Sequence, residues 1–235
     1  RLLDTPPAAA GATLQELARM ARVCRHLVDG ATDAVLRPTE VDTEPLWAED
    51  DAIDQLQESI TDYLVELMEH DMPDYLSAQV PAMLHVANDF ERIGDHCKNL
   101  LELSEQRRDE GMPWSDGADR NITEMAQIID RMISSAADAL SGENGELPAR
   151  ILADEESIDD MTEQFRLAHL SRSRDGECLM LPGLLFLDAL MNYEKIGDHV
   201  RNVARALEGG LMEAGAKLTY EEDGVPAATP GEVGE

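Results

Sequence analysis

Apolar residues recur at helical spacing along nearly the whole chain. Ile53, Leu56, Ile60, Leu64 and Leu67 form one stripe, and Val86, Phe90, Ile93, Cys97 and Leu100 a second. Ala189, Tyr193, Ile196, Val200 and Val203 form a third. Steps of three and four put each set on one side of an α-helix. Proline and glycine punctuate the pattern: Pro38 and Pro45 bound "RPTEVDTEP", "HDMPDY" breaks the chain before Pro73, and "DEGMPWSDG" (109–117) and "SGENGELP" follow. The expectation is six helices and an all-α fold. The first runs over 13–36, with Thr13 as its cap and Glu16 three positions on. The second carries the 53–67 stripe, and the third runs from near Pro73 to about 105 with a bend at Pro81. The others cover about 118–140, 149–171 and 179–208. Residues 1–12 read as a linker and 209–235 as an acidic, Gly/Pro-rich flexible tail. The run "CLMLPGLLFL" (178–187) is too short for a membrane span and reads as a buried helix segment.

The helices fall into two copies of one plan. "ERIGDHCKN" (91–99) returns as "EKIGDHVRN" (194–202), so Glu91, Asp95, His96 and Asn99 recur 103 residues later as Glu194, Asp198, His199 and Asn202. "EDDAIDQLQESI" returns as "DEESIDDMTEQF", placing Asp50, Asp54 and Glu58 against Glu155, Asp159 and Glu163 at an offset of 105. "ATDAVL" (31–36) also returns as "AADAL" (136–140), placing Asp33 against Asp138, and three segments repeated in order argue for tandem duplication of a three-helix unit, residues 13–108 and 118–208, joined by 109–117. A period near 100 is too long for a solenoid.

Residues four apart share a helix face, so Glu91 stacks over Asp95 and Glu194 over Asp198, opposite the apolar stripes. The ladders Asp50, Asp54, Glu58 and Glu155, Asp159, Glu163 also lie away from the main stripe. Each like-charge pair costs a few tenths of a kcal/mol, roughly 0.2–0.5. Two such ladders on neighbouring helices, in duplicate, point to a positive occupant. Carboxylate oxygens suit hard divalent cations or iron. The candidate metal ligands are Glu91, Asp95, Asp50 and Asp54 in the first copy, and Glu194, Asp198, Glu155 and Asp159 in the second. The competing reading is a solvated acidic face. Gly94 and Gly197 stand in mid-helix at a cost of about 1 kcal/mol each, which points to another helix passing close by. His96 and His199 are turned about 100° from the preceding Asp, and a role beside the site fits them better than ligation. Asn99 and Asn202 are placed to orient that Asp.

Charge narrows the partners. Forty-nine acidic and 19 basic residues give a net charge of −30. Such a field repels nucleic acid and anionic membrane surfaces and gathers cations. It also fits a surface adapted to high salt. Cys24, Cys97 and Cys178 show neither metal-ligand nor disulfide spacing, as in a reducing compartment. No residue three before any His is Glu, which removes the di-metal oxidase of helical bundles. No nucleophile–base pair or phosphate loop is visible, so no enzyme is expected.

With E-[RK]-I-G-D-H-x-x-N on the third helix of each copy, and "DDAID" and "EESID" on the second, residues 13–208 resemble the PhoU family. The resemblance implies two three-helix bundles related by pseudo-twofold symmetry. It also implies metal ions, often multinuclear, on the acidic motifs, and control of phosphate uptake. The opening "RLLDTPPAAAGATLQELARMARV" further resembles the junction that precedes the C-terminal PhoU-like domain of bacterial sodium/phosphate cotransporters. That resemblance implies a cytosolic domain at the inner face of the membrane, with its phosphate transporter in the same chain and a homodimer left open. The alternative is a free-standing regulator of a phosphate ABC transporter and its sensor kinase.

Overall fold

The computed structural model describes residues 3–142, 147–174 and 179–211. Among these residues six α-helices follow in order: α1 Pro6–Leu36, α2 Glu44–Met68, α3 Asp74–Asp109, α4 Asp116–Leu140, α5 Leu147–Arg174 and α6 Met180–Ala206. A short π-helical turn, Leu207–Leu211, ends α6. Among the described residues there is no strand, and no helix is long and apolar enough to cross a membrane.

α1 starts ahead of the expected Thr13. Proline at its first turn presets the helical φ, and Ala9 and Ala10 are wholly buried. Thr13 is not a cap: its hydroxyl donates to the Ala9 carbonyl one turn back (3.0 Å). Residues 6–12 are therefore helix, not linker. α3 runs through Pro81 as a single helix. Past its last residue, Asp109, the chain turns at Gly111, whose φ of 61° suits glycine, with the Met112 N–H closing on the Arg107 carbonyl (2.9 Å). At the far end Leu211 is buried and the Gly210 carbonyl accepts from Gln79 (3.0 Å), so the expected tail at 209 begins with packed structure. The rest of that tail, with Cys178, lies outside the described residues.

The helices pack as two three-helix units, α1–α2–α3 and α4–α5–α6, joined through α1 against α4 and α3 against α6. α2 and α5 lie outside this central layer of four. Equivalent residues meet across the join. Arg25 of α1 pairs with Asp130 of α4, its counterpart 105 residues on (Nη2–Oδ2 3.1 Å). Within each unit the same two positions link the first helix to the second, as His26–Glu49 (2.8 Å) and Arg131–Asp154 (3.1 Å). The core is continuous across both units and built mainly of Leu, Ile, Val, Met and Ala. Arg107 is buried at the end of α3, where it donates to the carbonyls of Val35 and Met112 and lies 3.8 Å over the Trp114 ring.

The apolar run at the start of α6 is not buried throughout. Gly183, Leu185 and Phe186 face the bundle, whereas Leu179, Met180 and Leu184 are more than half exposed. A helix that packs on one side leaves the residues of its other side in water however apolar they are.

Candidate metal centres

Each unit brings its two acidic motifs together where the second helix crosses the third. In the first, Asp50 of α2 is only 2% exposed, so it does not belong to a solvated ladder. It is drawn in because Gly94 of α3 has no side chain. A Cβ on Gly94 would stand 3.0 Å from Asp50 Oδ1 and 3.5 Å from Ile53. Asp50 Oδ2 accepts from Lys98 Nζ at 2.9 Å, and the same ammonium lies 3.6 Å from Asp95 Oδ1. Asp50 Oδ1 is buried without a hydrogen-bond partner. Arg92 holds Asp95 (2.9 Å) and Glu91 (3.5 Å) from the outside. Burial pushes the Asp54 and Glu91 carboxyls above the usual carboxylate range, and the charge of Asp50 on Asp54, and of Asp95 on Glu91, adds to it. Lys98 is held protonated chiefly by its hydrogen bond to Asp50.

The second unit repeats this with different lengths. Glu155 of α5 is 4% exposed and is gripped by Arg201 of α6, which also reaches Asp198 Oδ1 at 2.7 Å. Glu155, Asp159 and Asp198 each bring one oxygen within 4.8 Å of the others. Burial raises the Glu155 carboxyl, and Arg201 partly offsets it. Glu194 stands outside that trio and pairs with Lys195 (3.3 Å), which also holds Asp198 (2.7 Å). Glu163 turns to Arg166. Gly197 lets Ile158, not the acid, approach: an added Cβ would stand 3.4 Å from Ile158 Cγ2. The donor set is all carboxylate oxygen, partly buried and over-supplied with negative charge, which is the chemistry of a hard divalent ion or iron. Of the eight acids named from the sequence, Glu155, Asp159 and Asp198 converge within 4.8 Å, Glu194 stands outside them, and among the described residues Asp50, Asp54, Glu91 and Asp95 form no such group of three.

Asn99, Asn202, His96 and His199 do something else. Asn99 and His96 both turn to the Asn192 side-chain carbonyl of the opposite unit (3.1 and 2.9 Å). Asn202 and His199 turn to Asp89 Oδ1, the position equivalent to Asn192, at 3.1 and 2.9 Å. The two imidazoles lie 5.6 Å apart where α3 meets α6. These residues therefore join the two units and do not orient Asp95 or Asp198. Burial lowers the His96 pKa, the Asn192 contact opposes this, and His199 adds to the lowering.

The residues that sequence reading passed over are Lys98 and Arg201. Their signal was present: a base stands three positions after the Asp in both copies, as in "DHCK" and "DHVR".

The PhoU domain model matches residues 17–104 and again 122–207, the same two units. The chain belongs to the PhoU family. It is 22% identical over 221 residues to "Phosphate-specific transport system accessory protein PhoU homolog 1" of Thermotoga maritima, covering 92% of each chain. A protein of the same description from Methanothermobacter thermautotrophicus is 25% identical over 178 residues, 74% of this chain and 79% of that one. The crystal structure of PhoU from Pseudomonas aeruginosa superposes with a TM-score of 0.80 at 20% identity, over 88% of this chain and 98% of that one, and shares its fold.

Proposed function

We propose that this protein is a PhoU-type accessory regulator of phosphate transport, acting on a separate transporter at the cytoplasmic face of the membrane and loaded with divalent or iron ions. The observation that carries the first part is family membership across both units, with relatives of similar length described as accessory proteins of a phosphate-specific transport system. Those relatives favour the free-standing reading over the cotransporter-domain reading drawn from the N-terminal segment. The metal part is supported by the converging oxygens of Glu155, Asp159 and Asp198 and by the buried, half-satisfied carboxylate of Asp50.

An ion held between α2 and α3, or between α5 and α6, fixes the tilt of one helix on the other and so sets the surface offered to the transporter. The protein regulates rather than catalyses. Phosphate itself would need a bridging metal to approach so anionic a site.

The test has two arms. Phosphate uptake is measured in a bacterial host deleted for its own accessory protein, with this chain or its Glu91→Gln/Asp95→Asn/Glu194→Gln/Asp198→Asn variant supplied. Metal content of both purified proteins is measured after dialysis against moderate salt. Restored restriction of uptake and stoichiometric metal, both lost in the folded variant, support the reading. Uptake indifferent to the wild-type chain rejects the regulatory part, and absence of metal from it rejects the other.

A further inference from the structure

We infer that Lys98 and Arg201 are tethered counter-ions of the two sites: each neutralises its acidic cluster at low ion concentration, and a divalent ion enters only by displacing it. This rests on the metal reading above and deepens it.

The two bases occupy equivalent positions, 103 residues apart, and make equivalent bridges. Lys98 Nζ joins Asp50 Oδ2 on α2 to Asp95 Oδ1 on α3, and Arg201 joins Glu155 on α5 to Asp198 on α6. These are the oxygens that an ion linking the helices would take. Carboxylates buried as deeply as Asp50 and Glu155 are costly to leave without a partner for their oxygens. The tethered base supplies one, so the helices stay joined before any ion arrives. The sites still hold more acceptor capacity than the bases use: Asp50 Oδ1 is unpartnered and buried, and Asp159 contributes an oxygen beside Glu155 and Asp198.

Exchange of a tethered cation also selects by charge. A monovalent ion entering as Lys98 leaves brings no gain in local charge, whereas a divalent ion brings one unit. On a chain of net charge −30 that gathers every cation around it, this discriminates against sodium and potassium. The two units do so with different firmness. A lysine ammonium is a single point on a flexible stem, and here its side chain is 33% exposed. Arg201 sets two separate nitrogens on two carboxylates and is 23% exposed. The first unit therefore fills at a lower ion concentration than the second.

Calorimetric titration of Mn²⁺ into the full chain, at fixed moderate salt, tests this with substitutions that conserve charge. Wild type gives two classes of site. Lys98→Arg weakens the tighter class and Arg201→Lys tightens the weaker one, each by about five- to tenfold, the scale of one hydrogen bond. A third variant, Lys98→Gln, melts below wild type without metal and recovers when millimolar Mn²⁺ is added. If Mn²⁺ binds but both swaps change affinity less than twofold, or in the opposite directions, the tethered-ion inference fails and the metal reading stands. If Mn²⁺ binds no form of the chain, both fall.

Discussion

The same substitution at two equivalent glycines should have opposite effects. Replacing Gly by Ala in a helix interior gains about 1 kcal/mol from backbone entropy and propensity alone. At Gly197 the new methyl would meet Ile158 Cγ2 at 3.4 Å, close to ordinary contact, so most of that gain survives. Gly197→Ala should raise the melting temperature by about 2–4 °C, the shift that 1 kcal/mol produces in a chain of this size. At Gly94 the methyl would stand 3.0 Å from Asp50 Oδ1, on a buried side chain already tied to Lys98. Asp50 must yield a few tenths of an ångström against its own salt bridge, and overpacking of this kind costs about 1–3 kcal/mol. Gly94→Ala should then leave stability unchanged or lower it by up to about 2 kcal/mol. The gap between the two variants isolates the Asp50 contact, because their propensity gains are equal. Urea unfolding by circular dichroism measures both. A further variant closes the argument: in an Asp50→Ala background the obstacle is gone, and Gly94→Ala should regain about 1 kcal/mol. Gly94→Ala as stable as Gly197→Ala in the wild-type background would show that Gly94 is not what admits Asp50.

The remaining predictions concern the joins between helices. His96 titrates below its ordinary value in the folded chain, so its contribution is present above the unfolded-state pKa of about 6.5 and is lost as the pH falls below it. The stability advantage of wild type over His96→Gln should therefore shrink from pH 7.5 to pH 5 in paired urea titrations; an advantage that grows on acidification would refute the assignment. Asp54, Glu91 and Glu155 have raised values, which favours folding toward mild acid, so the comparison must be made against the variant and not against wild type alone. Arg107→Leu removes two donors from buried carbonyls and a cation–π contact, and should cost about 2–4 kcal/mol by urea unfolding; a loss below about 0.5 kcal/mol would make Arg107 incidental. The Thr32 hydroxyl donates to the Val28 carbonyl, so Tyr193 must donate to Thr32 across 2.8 Å. Tyr193→Phe should cost about 1 kcal/mol, and Thr32→Val in the Tyr193→Phe background should add little of its own from this bond.

Much of the architecture was legible because it rests on periodicity and on duplication in register. The stripes through Ile53 and Phe90 gave helices on the right faces, and the offsets of 103 and 105 paired residues that the fold treats as equivalent. The start of α1 was not legible, since Pro6, Pro7 and a run of alanines read as easily as a linker until Ala9 and Ala10 are seen buried. Helical projection placed Asn99 on the acidic side of its helix but could not say which neighbour that side meets; the α6 helix takes it, not α2. Asp50 was named as a candidate metal ligand on a ladder away from the apolar stripe, but its burial was not legible, because its depth depends on a glycine on another helix and a single-helix projection carries no such information. Lys98 and Arg201 were visible as a repeated base, yet their role appears only once α2 and α5 are in place to be bridged.

Both copies keep the frame and differ at the residues that touch the sites. Asp50 faces Glu155, Lys98 faces Arg201, and Asp89 faces Asn192 in the alignment. The first pair exchanges a short carboxylate that needs Gly94 for a longer one that does not. The second exchanges a point charge for a fork. The third leaves one carboxylate where the two imidazoles meet, and it lies opposite His199. These differences are connected through the helices themselves. Asp95 and His96 are neighbours on α3, as are Asp198 and His199 on α6, so one turn of each helix carries both the acid site and the contact with the other unit. A change of tilt imposed at Asp95 must then be taken up between His96 and Asn192, because the helix is too stiff to absorb it within one turn. The two unequal copies are thus coupled through one shared joint, in which His96 and Asn99 meet Asn192 and His199 and Asn202 meet Asp89.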